Sequence, residues 1–349
     1  MQSGKMLAIA LSALLIPTTV SAAQILKYSD HEPLGGMRTR FIKDVFFAEI
    51  EKESQGRLKI EEHWDSELAR SYDALGAVKE GKVADIATVV PEYTPKEFPL
   101  QQIFKSFPTG PTGDQQVEFF RKAYATIPEF QAELTKQNVV NIFLATGYPV
   151  AFFSTKPLNH LDDIKGTQWR SASFWHQDFL KNSGAIPVSM PWGDAIYDAL
   201  KAGRLDGLMV NVDSGYQLNV HKTAPNILIS KDLWLGHVYP LVMNKNTWDK
   251  LAEEDKQAIQ RAAAKAYQSL GSVMDSGYDA MIKDLRNNGA NVRELTSNEV
   301  AQWENTTHYQ QVQEKWLKEQ ESQGVKDVRP TMQKVTVLLK DTLLKETMK

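Results

Sequence analysis

"IPVSMPWGDAIYDALKAGRLDGLMV", Ile186 to Val210, reads as one complete strand–helix–strand unit. "IPVSM" is extended and apolar, "WGDAIYDALKAG" is a helix closed by Gly203, and "LDGLMV" resumes as a strand. An earlier stretch has the same grammar. "AVKEGKVADIATV" (Ala77–Val89) and "ALKAGRLDGLMV" (Ala199–Val210) share a helix end, a lysine, a glycine stop, a basic residue, an apolar residue, an aspartate and a strand. Such joints are common, and the glycine-to-aspartate spacing differs by one residue. The echo nevertheless suits two similarly built α/β lobes.

The flanking chain keeps this rhythm. "ILKYS" (Ile25–Ser29) is a strand, and "MRTRFIKDVFFAEIEKES" carries Phe41, Val45, Phe46 and Ile50 at helical spacing up to Gly56. "RLKIEEHW" is a strand, Leu68–Lys79 a helix, "ADIATVV" a buried strand stopped at Pro91, and a Pro-rich loop follows. Helices around Asp114–Tyr124 and Glu129–Lys136 lead to the strand "VVNIFLAT". Alternation of this kind predicts an α/β fold with mainly parallel sheets. "TQWR" and "NILIS" are further strands, and "SFWHQDFLKNSG" is a helix ending at Gly184. From Leu251 to about Asn287 a helical pattern runs without proline, interrupted only by Gly271 and Gly277. At ~1.5 Å per residue it spans on the order of 50 Å, enough to lie across two domains. The short extended piece "NVREL" and helical segments at Ser297–Gln323 and Pro330–Met348 complete the chain.

The leader "MQSGKMLAIALSALLIPTTVSAAQ" has Lys5, an apolar run Met6–Ile16, Pro17, and small-x-small sites at Val20–Ala22 and Ser21–Ala23. This is the layout of a secretory signal peptide cleaved near Ala22/Ala23. The apolar run is too short to span a bilayer, and no later segment is long and apolar enough, so the mature chain is expected to be exported and not membrane-embedded. Cysteine is absent, which excludes a disulfide framework, thiolate metal sites and cysteine nucleophiles. A disulfide-free exported domain pair suits a periplasm. The formal net charge of −3 gives no basic field for nucleic acid.

No catalytic constellation is present. Histidines 31, 63, 160, 176, 221, 237 and 308 lack HExxH or HxH spacing, and there is no G-x-S-x-G elbow, P-loop or G-x-G-x-x-G. Neither a metal nor another cofactor is expected. Binding chemistry gathers instead at "IKGTQWRSASFWHQDFL". Arg170 ends a strand and stands just before a helix start, where ligands of α/β sheets sit. The helix start offers unpaired N–H groups, and arginine adds a planar fork that matches a carboxylate. Trp169, Phe174, Trp175, Trp192, Tyr197, Tyr216, Trp234 and Tyr239 lie near this region in the sequence. Aromatics of this kind line clefts or fill cores, and Phe174 and Tyr197 suit the core.

The stretch "KPLNHLDDIKGTQWRSAS…NSGAIPVSMPWGDAIYDALKAGRLDG", followed by "YPLVMNKNTWDKL", resembles the extracytoplasmic solute-binding proteins of TRAP transporters, the DctP-type family. "GRLKIEEHWDSELARSYDALGAVKEGKVADIATVVPEYTPKEFPL" is similar to that family's first lobe, and the match covers essentially the whole mature chain. The resemblance implies a two-lobed periplasmic binding protein fold (type II-like), with crossing strands and a long helix spanning both lobes. It implies a receptor, not an enzyme. The receptor would hold a small organic acid and deliver it to the small and large membrane permease subunits. The expected division is signal peptide 1–23, first lobe 24–149 plus about 238–270, and second lobe 150–237 plus about 271–349. In the family's KG-x-K-x-R pattern the arginine pairs with the ligand carboxylate; here Gly166, Gln168 and Arg170 occupy it, with glutamine replacing lysine.

The strand after "LDG" lines the cleft in this family, which adds Asn211, Asp213 and Tyr216. Pro149 stands where sialic-acid and dicarboxylate relatives often carry a second arginine, and "DGLMV" replaces "DGQEN". One arginine among many aromatics points to a monocarboxylate with an apolar or aromatic body. By strand-end logic the loops at Asp30–Glu32, Asp65–Ser66 and Pro91–Tyr93 supply the opposite wall, with His31, Glu32 and Tyr93 foremost. Trp234 and His237 precede the return to the first lobe; Trp175 and Trp192 complete the candidates. An exported hydrolase, an ABC-type receptor and a sensor subunit are the competing readings.

Overall fold

The computed structural model describes residues 22–190 and 192–347. The leader 1–21, where the export signal is expected, lies outside the described residues. Among the described residues eleven strands form two sheets. The first sheet contains β1 (Gln24–Ser29), β2 (Leu58–His63), β3 (Ile86–Thr88) and β4 (Val139–Thr146), joined by β10 (Val238–Asn244), in the order β2-β1-β3-β10-β4. The second contains β5 (Val150–Ser154), β6 (Gln168–Arg170), β7 (Ile186–Val188), β8 (Gly207–Asn211), β9 (Asn226–Ile229) and β11 (Asn291–Glu294), in the order β11-β9-β5-β8-β6-β7.

Neither sheet is wholly parallel, which corrects the expectation of mainly parallel sheets in a definite way. β10 runs antiparallel to β3 and β4, and β5 runs antiparallel to β8 and β9. Both are the strands that bring the chain over from the other lobe. A strand arriving from the cleft side runs outward, whereas β1, β3, β6 and β8 run toward the cleft. Each is buried along its whole length between two neighbours, which suits the unbroken apolar runs "VAFFS" and "VYPLVMN".

Two shorter elements also differ from expectation. The helix expected over Leu68–Lys79 is regular only from Ala74 to Lys79. Within the Pro-rich stretch, Leu100–Ser106 forms a 3₁₀ turn buried at all its positions. Around this turn Phe104, Phe119, Phe120, Phe130 and Trp234 pack edge to face and stacked, with ring centroids 4.8–5.8 Å apart in the Phe104–Phe130, Phe104–Phe120 and Phe120–Trp234 pairs.

The long helix is Glu253–Asn287, 35 residues without a break. Ala258, Ala262, Ala266, Leu270, Met274, Ile282 and Leu285 form its buried stripe at steps of three, four or multiples of these. Glu253, Glu254 and Asp255 in its first turn complement the helix dipole. Arg261 bonds Glu53 of the first lobe at 2.7 Å, and Asp284 accepts from Tyr216 of the second at 2.7 Å, so the helix lies across both. The C-terminal segment breaks at His308, whose left-handed backbone (φ 48°) separates Ser297–Thr307 from Tyr309–Ser322. The last helix, Val328–Thr347, lies against Gly113–Thr126 and Leu100–Ser106 of the first lobe, although 271–349 was expected with the second.

Candidate ligand-binding cleft

The cleft is built from strand ends. β1 delivers His31 and Glu32, and β3 leads through the short turn Pro91–Tyr93, which carries Glu92 and Tyr93. From the opposite sheet, β6 ends in Arg170 and gives Ser171 and Ser173. β7 leads to Met190 and Trp192, and β8 ends at Asn211. β10 starts just after His237. These residues border one cavity of 590 Å³, the size of a small-molecule site.

Arg170 dominates its chemistry. The residue is only 2% exposed. Its Nε donates to the Met190 carbonyl at 3.0 Å, and its guanidinium stands 5.2 Å from the Trp192 ring centre. Among the described residues the two terminal nitrogens have no hydrogen-bond partner and no carboxylate lies within ion-pair distance. Burial lowers the Arg170 pKa from its ordinary value, with Glu92 and the tyrosines 93 and 72 pulling it back; a guanidinium remains charged throughout the neutral range. The hydroxyls of Ser171 and Ser173 likewise have no partner among the described residues and border the same space.

The first-lobe wall carries more charge, and it is internally matched. Arg38 grips Asp30 with two bonds of 2.7 and 2.9 Å, and Tyr28 donates to the same carboxylate at 2.5 Å. Burial alone would raise the Asp30 pKa, but the guanidinium beside it holds it at about 2. Arg38 also meets Glu32 at 2.9 Å and stacks 4.6 Å over the Tyr239 ring. Deeper in, the Lys105 ammonium bonds Glu92 directly. His237 stacks on Tyr239 with ring centres 4.1 Å apart, and its Nδ1 lies 3.3 Å from the Tyr239 hydroxyl. Its Nε2 has no hydrogen-bond partner among the described residues. Burial and nearby cations push its pKa well below the ordinary value, so the ring is neutral.

Of the residues singled out by sequence, Arg170, Asn211, Trp192, His237, His31, Glu32 and Tyr93 meet at this cavity. The other four are placed elsewhere. Asp213 sits one step behind the wall, where it accepts from the Asn211 amide; burial and the Glu32 charge raise its pKa to about 6. Tyr216 turns to the long helix. Trp234 is in the first-lobe core with its indole N–H on Gln116 at 2.9 Å. Trp175 donates to the Gln102 carbonyl at 3.0 Å and packs on Trp316. Lys105, Tyr72 and the apolar Met190, Met209 and Leu235 also border the cavity and were not anticipated. Among the described residues no His/Asp/Glu group is placed to hold a metal, and no helix is long and apolar enough to cross a membrane.

Two mixed sheets facing each other across a cleft, bound together by one long helix, define a two-lobed binding protein of the periplasmic type. The chain belongs to the DctP family, bacterial extracellular solute-binding protein family 7, whose profile matches residues 39–323. Its relatives are solute-binding proteins of TRAP transporters, which are periplasmic receptors and not enzymes. The ectoine-binding periplasmic protein TeaA of Halomonas elongata is 23% identical over 255 residues, 72% of either chain. A TRAP solute-binding protein from Rhodoferax ferrireducens, solved with copurified benzoate, superposes with a TM-score of 0.77 at 21% identity, over 93% of this chain and 100% of that one. A Bordetella pertussis extracytoplasmic receptor binding pyroglutamic acid gives 0.73 at 19% identity, over 89% and 99%.

Proposed function

We propose that this receptor captures a small monocarboxylate with an apolar or aromatic body and delivers it to the small and large membrane subunits of a TRAP permease. The observation that carries the reading is Arg170: a buried cation facing a cavity, with both terminal nitrogens free of partners among the described residues. A buried charge is tolerated when something pairs it, and a ligand carboxylate matches the guanidinium fork. Trp192 beside the guanidinium, Tyr93, Met209 and Leu235 give the remainder of the ligand an apolar lining. Asn211, His237, His31 and Glu32 are the polar groups left to orient it. Benzoate and pyroglutamate, held by the two solved relatives, each carry one carboxylate.

The lobes are taken as 24–149 with about 238–270, and 150–237 with the segment from 271, the last helix resting on the first lobe. Ligand contact with Arg170 on one side and the first-lobe wall on the other draws them together. Export by a cleaved leader completes the reading.

Native mass spectrometry of the purified protein, followed by a thermal-shift panel of acids, tests the ligand class. Monocarboxylates are expected to raise the melting temperature. A panel in which only dicarboxylates or sugar acids do so defeats the proposal. Uptake into vesicles holding both membrane subunits, with and without this receptor, tests delivery.

A further inference from the structure

The cavity is bordered by two basic side chains, Arg170 on the second lobe and Lys105 on the first. Only one of them is available to a ligand. Lys105 lies in the 3₁₀ turn Leu100–Ser106, buried, and its ammonium is bonded to Glu92. Glu92 comes from a different turn, Pro91–Tyr93, so two separate segments converge to form one neutral pair on the cleft wall. Among the described residues Lys105 has no second carboxylate, and Arg170 has none at all within ion-pair distance. Removing one member of a buried pair leaves the other uncompensated in a medium that screens poorly, and such a charge attracts any counter-ion that fits.

We infer that Glu92 determines specificity: it fills, as a built-in counter-ion to Lys105, the place where the second acid group of a dicarboxylate would go. The inference rests on Arg170 being the carboxylate anchor. Selection here works by exclusion as well as attraction. A diacid entering the cleft finds its second carboxylate beside Glu92, with the Lys105 ammonium already taken.

Calorimetric titration tests this with matched probes: benzoate against isophthalate and terephthalate, and pyroglutamate against succinate and glutarate. The wild type is expected to take a monoacid and reject the diacids. Glu92→Gln keeps the side-chain volume and frees the ammonium, and is expected to raise diacid affinity relative to monoacid by about tenfold or more. A Glu92→Gln protein that melts cooperatively yet keeps the wild-type ratio overturns the inference. Where that variant does not fold, the double variant Glu92→Gln/Lys105→Met removes both charges at once. It must still prefer monoacids, and gain of diacid binding by it overturns the inference, because no ammonium would then be there to receive the second acid. A wild type that binds diacids as well as monoacids, or no monoacid of the panel, is a different result: it defeats the Arg170 reading itself.

Discussion

Asp30, Arg170 and Glu133 are three buried charges left in three different states. Asp30 is matched inside the chain by Arg38, and its carboxyl stays ionised down to about pH 2. Arg170 has its Nε satisfied and its terminal nitrogens without a partner among the described residues, which in the proposed function leaves the pairing to a ligand. Arg170→Ala is therefore expected to weaken monocarboxylate binding by about 2–5 kcal/mol, read by titration calorimetry; unchanged affinity would remove the anchor. Glu133 is neither matched nor open to ligand. One oxygen accepts from the Leu100 N–H at 2.8 Å, and burial outweighs that bond and the Gln101 groups beside the carboxylate, raising its pKa from 4.5 to about 7. The folded state thus holds this proton more tightly than the unfolded one. Its contribution is fully present below pH 4.5 and is lost as pH rises through 7. Glu133→Gln keeps the acceptor for Leu100, so it should stabilise the protein at pH 8 by up to about 3 kcal/mol. The gain should fade toward pH 5 in denaturant titrations. Arg170 was legible in the sequence by its place at a strand end beside a helix start and, more strongly, by the resemblance of "KGTQWR" to the family's KG-x-K-x-R pattern. Lys105 was not, because its turn lies in a Pro-rich stretch with no period to read. Trp175 and Trp234 misled for a related reason. An indole reads alike in cleft or core until its N–H is found bonded to an internal acceptor.

The long helix was readable from its unbroken period, but Gly271, which interrupts that pattern, serves a close approach between helices. A Cβ on Gly271 would stand 2.3 Å from the Asp114 backbone nitrogen, and one on Gly113 2.5 Å from an Asp275 carboxylate oxygen. The two helices touch through bare backbone, and Gly113 also needs a positive φ of 56°. Gly271→Ala improves helix propensity yet forces the helices apart; the clash is with backbone, which cannot rotate away. A net loss of about 1–3 kcal/mol in thermal or urea unfolding is expected. A neutral or stabilising result would mean the pair relaxes at little cost. Strand direction was the other point that local pattern could not supply. "VAFFS" and "VYPLVMN" announce buried strands, but a buried run reads the same in either direction. Only the route of the chain across the cleft decides which way it points.

The lobes are joined by more than a hinge of two strands. Thr109 of the first lobe donates to Glu304 at 2.6 Å, and Gln313 reaches the Ser106 hydroxyl at 2.8 Å. Asn182 of the second donates to the Thr307 carbonyl at 2.7 Å, so the C-terminal helices grip both sides. With Trp175 also bonded across to Gln102, calorimetric unfolding is expected as one transition despite two sheets; two resolved transitions would show that the lobes melt separately. The route of the chain has a practical corollary. The first described strand, β1, lies in the first lobe, and the helix Val328–Thr347 packs against that same lobe. Reporter groups attached near Gln24 and on the exposed Lys340 of that helix therefore ride on one body and should register no change when the lobes close. A donor near Gln24 paired with an acceptor on the exposed Lys201 straddles the moving gap, and its transfer efficiency should follow ligand concentration.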